Sequence, residues 1–311
     1  MEFFKKVSNF DFMGKRWYAI TGSLVLFVFS IISLIFPGLN LGVDFTGGTV
    51  IELSYTQPVE LGAVRNILSH GGYSDAVVQN FGTTRDILIR VAPRADMTSV
   101  ALSEKILEVL RAGINNNQVE IRRVEFVGPQ VGSELQEAGL LSLLFASLGI
   151  LIYVALRFEY RMAIGAIIAM LHDPLLILGV FALGGIEFDL TVVAALLAIM
   201  GYSLNDTVVV FDRIRENFSR VRKGTPEEII NRSVNETLSR TLMTSFSTIL
   251  VLIAMFLWGG QVLHAFSLAL LIGIFIGTYS SIFIAAPVAL AMGLSRQALL
   301  PPKREENDWR P

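Results

Sequence analysis

GYSLNDTVVVFDRIREN, residues 201–217, is the stretch from which the rest of the chain is best read. It closes an apolar run that begins near Leu190 and is long enough to cross a bilayer. Asn205 and Asp206 stand inside that run, with Val208, Val209, Val210 and Phe211 still to come before the charges begin. At a rise of about 1.5 Å per residue, Asp206 sits roughly 8 Å inside the end of the run. A carboxylate at membrane depth costs about 2.5–3.5 kcal/mol on insertion scales, so it is not an incidental residue. Its i+3 and i+4 neighbours are Val209 and Val210, and Arg213 lies about two turns away, beyond the run. The partner comes from elsewhere in the fold, or Asp206 carries a proton.

The composition places this run in context. The 311 residues are 53% hydrophobic and 17% charged, the balance of a membrane protein. A formal net charge of −2 gives no reason to expect nucleic acid. The chain has no cysteine, which excludes disulfides, iron–sulfur clusters and thiolate zinc sites. His70, His172 and His264 form no HExxH, and neither a P-loop nor GxSxG occurs. The expectation is a chain that is not an enzyme, with no metal and no cofactor.

Six apolar runs are expected to span. The first, 17–36, exceeds a signal-peptide core and no A-x-A site follows it, so it reads as an uncleaved span. The others are 138–156, 162–183, 190–211, 235–258 and 263–290. The organisation is thus an N-terminal segment 1–16, a first span 17–36, an α+β domain 37–134, a five-helix bundle 135–294 and a polar tail 295–311. Arg157, Arg161, Arg213, Arg215, Arg220, Arg222, Lys223 and Arg232 fall in alternate connections, whereas 184–189 and 259–262 hold no Lys or Arg. The positive-inside rule then puts both termini in the cytoplasm and the 37–134 domain outside. The charged segment 213–234 reads as a helix along the inner surface.

Between spans one and two the periodicity changes. Alternation over 49–55, a helix over 58–70 with Pro58 in its first turn, short strands at 76–80 and 86–91, a helix over 97–112 and a strand at 119–127 give the order βαββαβ. That is the ferredoxin-like motif, which by itself names no function.

Polar residues recur at helical spacing inside two spans. In the fourth, Ile199, Tyr202, Ser203 and Asp206 are expected on one face, beside Asn205. In the fifth, Arg240, Thr244, Ser247 and Thr248 share a face. The two spans run in opposite directions, so Asp206 and a buried Arg240 are expected at similar depths. A hydroxyl stripe above such a pair suits a hydrated path, and a structural ion pair is the plainer reading. In the third span, His172-Asp173-Pro174 combines a kink with two polar side chains, which suits local backbone satisfaction or a supporting proton role.

GVDFTGG at 42–48, HDP at 172–174, GIEFDLTVVAALLAIMGYSLNDTVVVFDRIREN at 185–217 and NETLSRTLMTS at 235–245 together resemble the SecF family of bacterial protein-export membrane proteins. The similarity extends to Phe10-Asp11-Phe12 and to VGPQVGSEL before span two, with Pro174 standing where many relatives would carry an aliphatic residue. The resemblance implies six spans, one periplasmic domain and membership of the resistance–nodulation–division superfamily, in the bacterial inner membrane. It further implies a heterodimer with SecD, work alongside SecYEG and SecA on a translocating preprotein, and use of the proton motive force. Asp206 and Arg240 match the family's intramembrane acid and its basic partner. A small-molecule efflux transporter or a half-unit of one, a passive translocon scaffold and an intramembrane enzyme are the alternatives; a whole efflux pump needs two six-span halves and two large outer domains in one chain, and the enzyme needs a nucleophile–base or metal set.

Overall fold

The structure is a computed structural model that describes residues 8–94, 97–113 and 118–299. Lys5, Lys6 and the tail after Pro301, with Lys303, Arg304 and Arg310, lie outside the described residues. The chain is a polytopic α-helical membrane protein with an α/β domain after its first long helix. That helix, α1 (Arg16–Ile35), is followed by β1 (Asn40–Leu41), the one-turn α2 (Val43–Thr46), β2 (Gly48–Tyr55), α3 (Leu61–His70), β3 (Val77–Phe81), β4 (Thr83–Val91), α4 (Ser99–Gly113) and β5 (Val119–Val127).

The α/β domain has the expected βαββαβ order. Its sheet is antiparallel throughout, with strand order β3-β4-β2-β5. Ile51, Leu53, Ile87 and Ile89 point from one face into a core closed by Val64 and Leu68 of α3 and Leu102, Ile106 and Leu110 of α4. One boundary differs from expectation: Pro58 is not in the first turn of α3. The Val59 N–H is bonded to Thr84 O at 3.1 Å and Glu60 is extended, so 58–60 are held along the sheet and the helix starts at Leu61. Asp86, on the opposite face, accepts hydrogen bonds from Ser54 (2.6 Å) and Thr83 (2.7 Å), with Arg122 at 3.4 Å. The Ser54 hydroxyl, then Thr83 and Arg122, hold its carboxyl below the usual carboxylate range against the opposing effect of burial. A depressed carboxylate contributes stability above its unfolded value of about 3.9, lost as pH falls through the lower folded value. Asp86→Asn is therefore expected to destabilise the domain by about 1–2 kcal/mol at pH 7. Hydrogen exchange of β2 and β4 in the whole chain should show the deficit shrinking below pH ~4. An equal deficit at pH 7 and at acid pH would contradict the assignment.

The bundle continues with α5 (Pro129–Arg157), α6 (Tyr160–Gly184), β6 (Glu187–Phe188), α7 (Leu190–Arg220) and α8 (Pro226–Trp258). The last span is α9 (Gly260–Ser280), a π turn (Ser281–Ala285) and α10 (Ala286–Ala291), before the short α11 (Arg296–Leu299). Among the described residues, six helices are long and apolar enough to cross a membrane. α6, α7 and the last span are about half buried, while α1, α5 and α8 are largely exposed. Local chemistry sets the ends: Asp189 caps α7 through the Val192 N–H, and Thr225 with Glu228 forms a capping box on α8.

The segment 213–234 does not form a separate surface helix. α7 runs on to Arg220 and α8 starts at Pro226, so the two spans end in a helical hairpin. Arg213 bridges to Glu236 (2.7 Å), and Asn217 donates to Ser233 (2.9 Å) and Glu236 (2.8 Å). Ile214, Phe218, Ile229, Ile230 and Val234 are buried in this hairpin. The N-terminal strap is fastened to it: Asn231 accepts from the Phe12 N–H and Asn235 from the Phe10 N–H, both at 2.8 Å, and both amides donate back to Phe10 O. Those contacts give the Phe10-Asp11-Phe12 pattern a structural role that sequence reading did not assign.

At the opposite end the α/β domain rests on the bundle. β1 pairs in parallel with β6, Asn40 opposite Glu187 and Leu41 opposite Phe188. Arg90, only 7% exposed on the sheet's helix-free face, bonds Glu187 at 2.9 Å. Burial pushes the Glu187 carboxyl up, and the Arg90 charge pulls it the other way.

Candidate functional site

The polar residues of α7 lie on two faces, not the single one expected. Ile199, Ser203, Asp206 and Thr207 are buried, whereas Tyr202 is half-buried and Asn205 is exposed. The inner stripe packs on α9, where Gly277 lets the helices approach: a Cβ there would lie 2.9 Å from that of Ser203. Ser203 therefore faces α6 and α9 rather than α8.

Asp173, fully buried, is the hub of this interior. Its Oδ2 accepts from Ser203 Oγ (2.5 Å) and Ser280 Oγ (2.8 Å), and its Oδ1 lies 3.0 Å from His172 Nδ1. One turn further along α7, Thr207 Oγ1 meets Ser281 Oγ at 2.9 Å. Ser280 and Ser281 stand where α9 passes into the π turn, a distortion that frees helix backbone and favours polar contacts. His172 Nε2 is buried without a hydrogen-bond partner. The HDP motif is thus joined to the Asp206 helix through Ser203.

Asp206 is 3% exposed, and its Oδ2 has no hydrogen-bond partner. Arg240 acts on it through charge and not through a hydrogen bond. Among the described residues the two form no ion pair, and the Arg240 side chain is exposed, so the expectation of a buried Arg240 is corrected. The hairpin register gives the reason. Its contacts pair residues symmetric about the 221–225 loop: Arg213 with Glu236, Asn217 with Ser233, Tyr202 with Thr248 at 3.5 Å. On that register Thr244 lies opposite Asp206, and Arg240 falls one turn further toward the charged end, about 6 Å along the axis. Thr244, Ser247 and Thr248 donate to carbonyls of their own helix, at 2.8–3.2 Å. Thr241 Oγ1, on the same helix, is buried and unbonded. The arrangement contains a buried carboxylate, a hydroxyl network behind it, and an exposed cation one turn away.

Comparison with known proteins fits this geometry. The family described as protein export membrane protein SecD/SecF, C-terminal, matches residues 107–295, and the SecD/SecF GG motif matches 32–59. The protein translocase subunit SecF of Vibrio alginolyticus is 48% identical over 97% of this chain and 96% of its own length. That of Magnetococcus marinus is 49% identical over 94% of each chain. The crystal structure of SecDF from Thermus thermophilus, a translocon-associated membrane protein, superposes with a TM-score of 0.82 at 37% identity over 92% of this chain. The chain belongs to the SecF family. It spans 39% of that SecDF chain. Within the SecF frame, the GG-motif match runs from the end of α1 through β1 and α2 to just beyond the end of β2, and the C-terminal family region contains every residue of the site. Sequence reading missed Thr207, Ser280 and Ser281. Serines in a helix are common and bond their own carbonyls, as Ser281 does with Gly277 O at 2.9 Å. Only the fold brings Asp173 to Ser280 and Thr207 to Ser281.

Proposed function

We propose that this SecF-family chain pairs with a SecD-like subunit in the bacterial inner membrane and helps drive a late stage of preprotein translocation with the proton motive force. The observation that carries this reading is the buried Asp206 carboxylate, its Oδ2 without a hydrogen bond among the described residues, with Asn205 and Arg240 exposed on the two helices beside it. Lipid cannot satisfy an exposed arginine and amide at mid-helix, so a second membrane subunit is the fitting cover. With SecD in place, Arg240 can be turned toward or away from Asp206, giving two states that differ in protonation. One charge crossing 100 mV releases about 2.3 kcal/mol, enough to bias such a switch. A passive scaffold held by an Asp206–Arg240 ion pair is less well supported, because that pair is not formed. SecYEG, SecA and the emerging preprotein complete the proposed assembly.

Photo-crosslinkers placed at Asn205 and Thr244 in native membranes are expected to capture a SecD-like chain. Capture of lipid alone at both positions would count against the pairing. The orientation proposed is both termini in the cytoplasm, supported by Arg157, Arg161, Arg213 and Arg215 clustering at the hairpin end, where Arg157 and Arg215 both bond Asp212. A reporter at Asn116 should read as periplasmic and one at Lys223 as cytoplasmic; the reverse pattern would sink the topology.

A further inference from the structure

The segment 42–48 lies where three parts of the molecule meet. The Gly42 N–H is bonded to Phe188 O at 2.8 Å, extending the β1·β6 pairing. Asp44 Oδ2 accepts from the Leu190 N–H at 3.1 Å, so a residue of the α/β domain's leading segment satisfies the first turn of α7. Phe45 stacks on Phe188 with centroids 5.7 Å apart. Gly48, at φ +134, begins β2 so close to β4 that a Cβ would lie 2.7 Å from Val91 O. From the sheet, Arg90 reaches the same place through Glu187 and is 3.5 Å from Leu41 O.

Four of these contacts, made by Gly42, Asp44, Phe45 and Arg90, end on Glu187, Phe188 or Leu190, at the short connection that feeds α7, the helix carrying Asp206. From Leu190 to Asp206 is sixteen residues, about 24 Å of continuous helix. A hinge between sheet and bundle would be expected to have few cross-contacts and free backbone groups. The residues here are tied by backbone pairing, a helix-end bond, an ion pair and a stacked ring pair.

We infer that the 42–48 segment, with Arg90 and Glu187, is a rigid joint that makes the α/β domain move as one body with the outer end of α7, Asp44 being the positioning residue that transmits the motion. This rests on the proposed role of Asp206 and adds the route by which a proton event in the membrane reaches the outer domain. A plain structural turn at 42–48 would require only that the joint exist. A transmitting joint also requires that making it covalent be harmless and that loosening it uncouple.

The absence of cysteine makes the test clean. Leu41 and Phe188 are register partners, so Leu41→Cys with Phe188→Cys can bridge them. The full chain with its SecD-like partner is followed in vesicles by the rate of proton-dependent preprotein export, oxidised against reduced. The oxidised lock is expected to export within about twofold of the native chain, and the reduced pair, which lacks the Phe45–Phe188 stack, to export more slowly than the oxidised one. Asp44→Ala alone should slow the proton-dependent stage by roughly tenfold, within the five- to 150-fold scale usual for coupling between sites. In the double-cysteine background, oxidation should restore Asp44→Ala. A lock that blocks export overturns the joint, since a pivot would then lie there; so does an Asp44→Ala chain, present at normal level, that exports normally. Asp206→Asn run in parallel separates the two ideas. Normal export by Asp206→Asn defeats the proton reading, whereas loss of export by Asp206→Asn together with a blocking lock defeats only the joint.

Discussion

Asp206→Asn is expected to leave the chain folded and paired with its SecD-like subunit, and to remove the proton-dependent part of export almost completely. The amide has nearly the shape of the acid, and the carboxylate's Oδ2 makes no hydrogen bond that its loss would break. Folding should therefore change little. What disappears is the buried carboxylate of α7, which can gain and lose a proton one helical turn from Arg240. Each proton crossing 100 mV contributes about 2.3 kcal/mol, roughly fiftyfold in an equilibrium, so losing it should be large and specific. Asp206→Glu, which keeps the titrating group on a longer arm, should retain part of the activity. A structural role predicts the opposite ranking, with the close-shaped amide tolerated best.

The second large effect is expected at Asp173. It is fully buried and accepts from Ser203 and Ser280, with His172 Nδ1 beside its other oxygen. Asp173→Ala strands the Ser203 hydroxyl and an imidazole nitrogen, leaves Ser280 only its 3.2 Å bond to Gly277 O, and opens a gap between α6, α7 and α9. Stranded buried polar groups cost about 1–3 kcal/mol each, although interhelical bonds in membranes average nearer 0.6. A total loss of about 2–4 kcal/mol follows, seen as lower membrane abundance and a lower detergent-melting temperature. Ser280→Ala removes one donor and leaves the others, so it should cost under about 1 kcal/mol. Equal tolerance of Asp173→Ala and Ser280→Ala would show that Asp173 is no hub.

The fold was largely legible because its signals are long. Six apolar runs and the period-2 and 3.6 patterns between residues 48 and 127 each repeat many times, so local errors such as the start of α3 do not spread. Asp206 was legible for the contrary reason, as one costly residue in an apolar setting. The side chains around it were not. Ser280 and Ser281 look like any helical serines until α6 brings Asp173 to Ser280 and α7 brings Thr207 to Ser281. The exposure of Arg240 could not be read either, since spacing places it on a face but does not say whether this chain covers that face. The hairpin register, which sets Arg240 one turn from Asp206, depends on Arg213, Asn217 and Glu236, residues that read in sequence as a charged surface. The β1·β6 contact is two residues long, too short to leave any pattern.

The central claim is that Asp206 couples proton movement to export. Proteoliposomes holding the chain with its SecD-like partner, with a pH-sensitive dye inside and an imposed membrane potential, test it most directly. The account predicts dye-reported proton movement with the native chain and movement at the protein-free baseline with Asp206→Asn. Equal proton movement through both would contradict it.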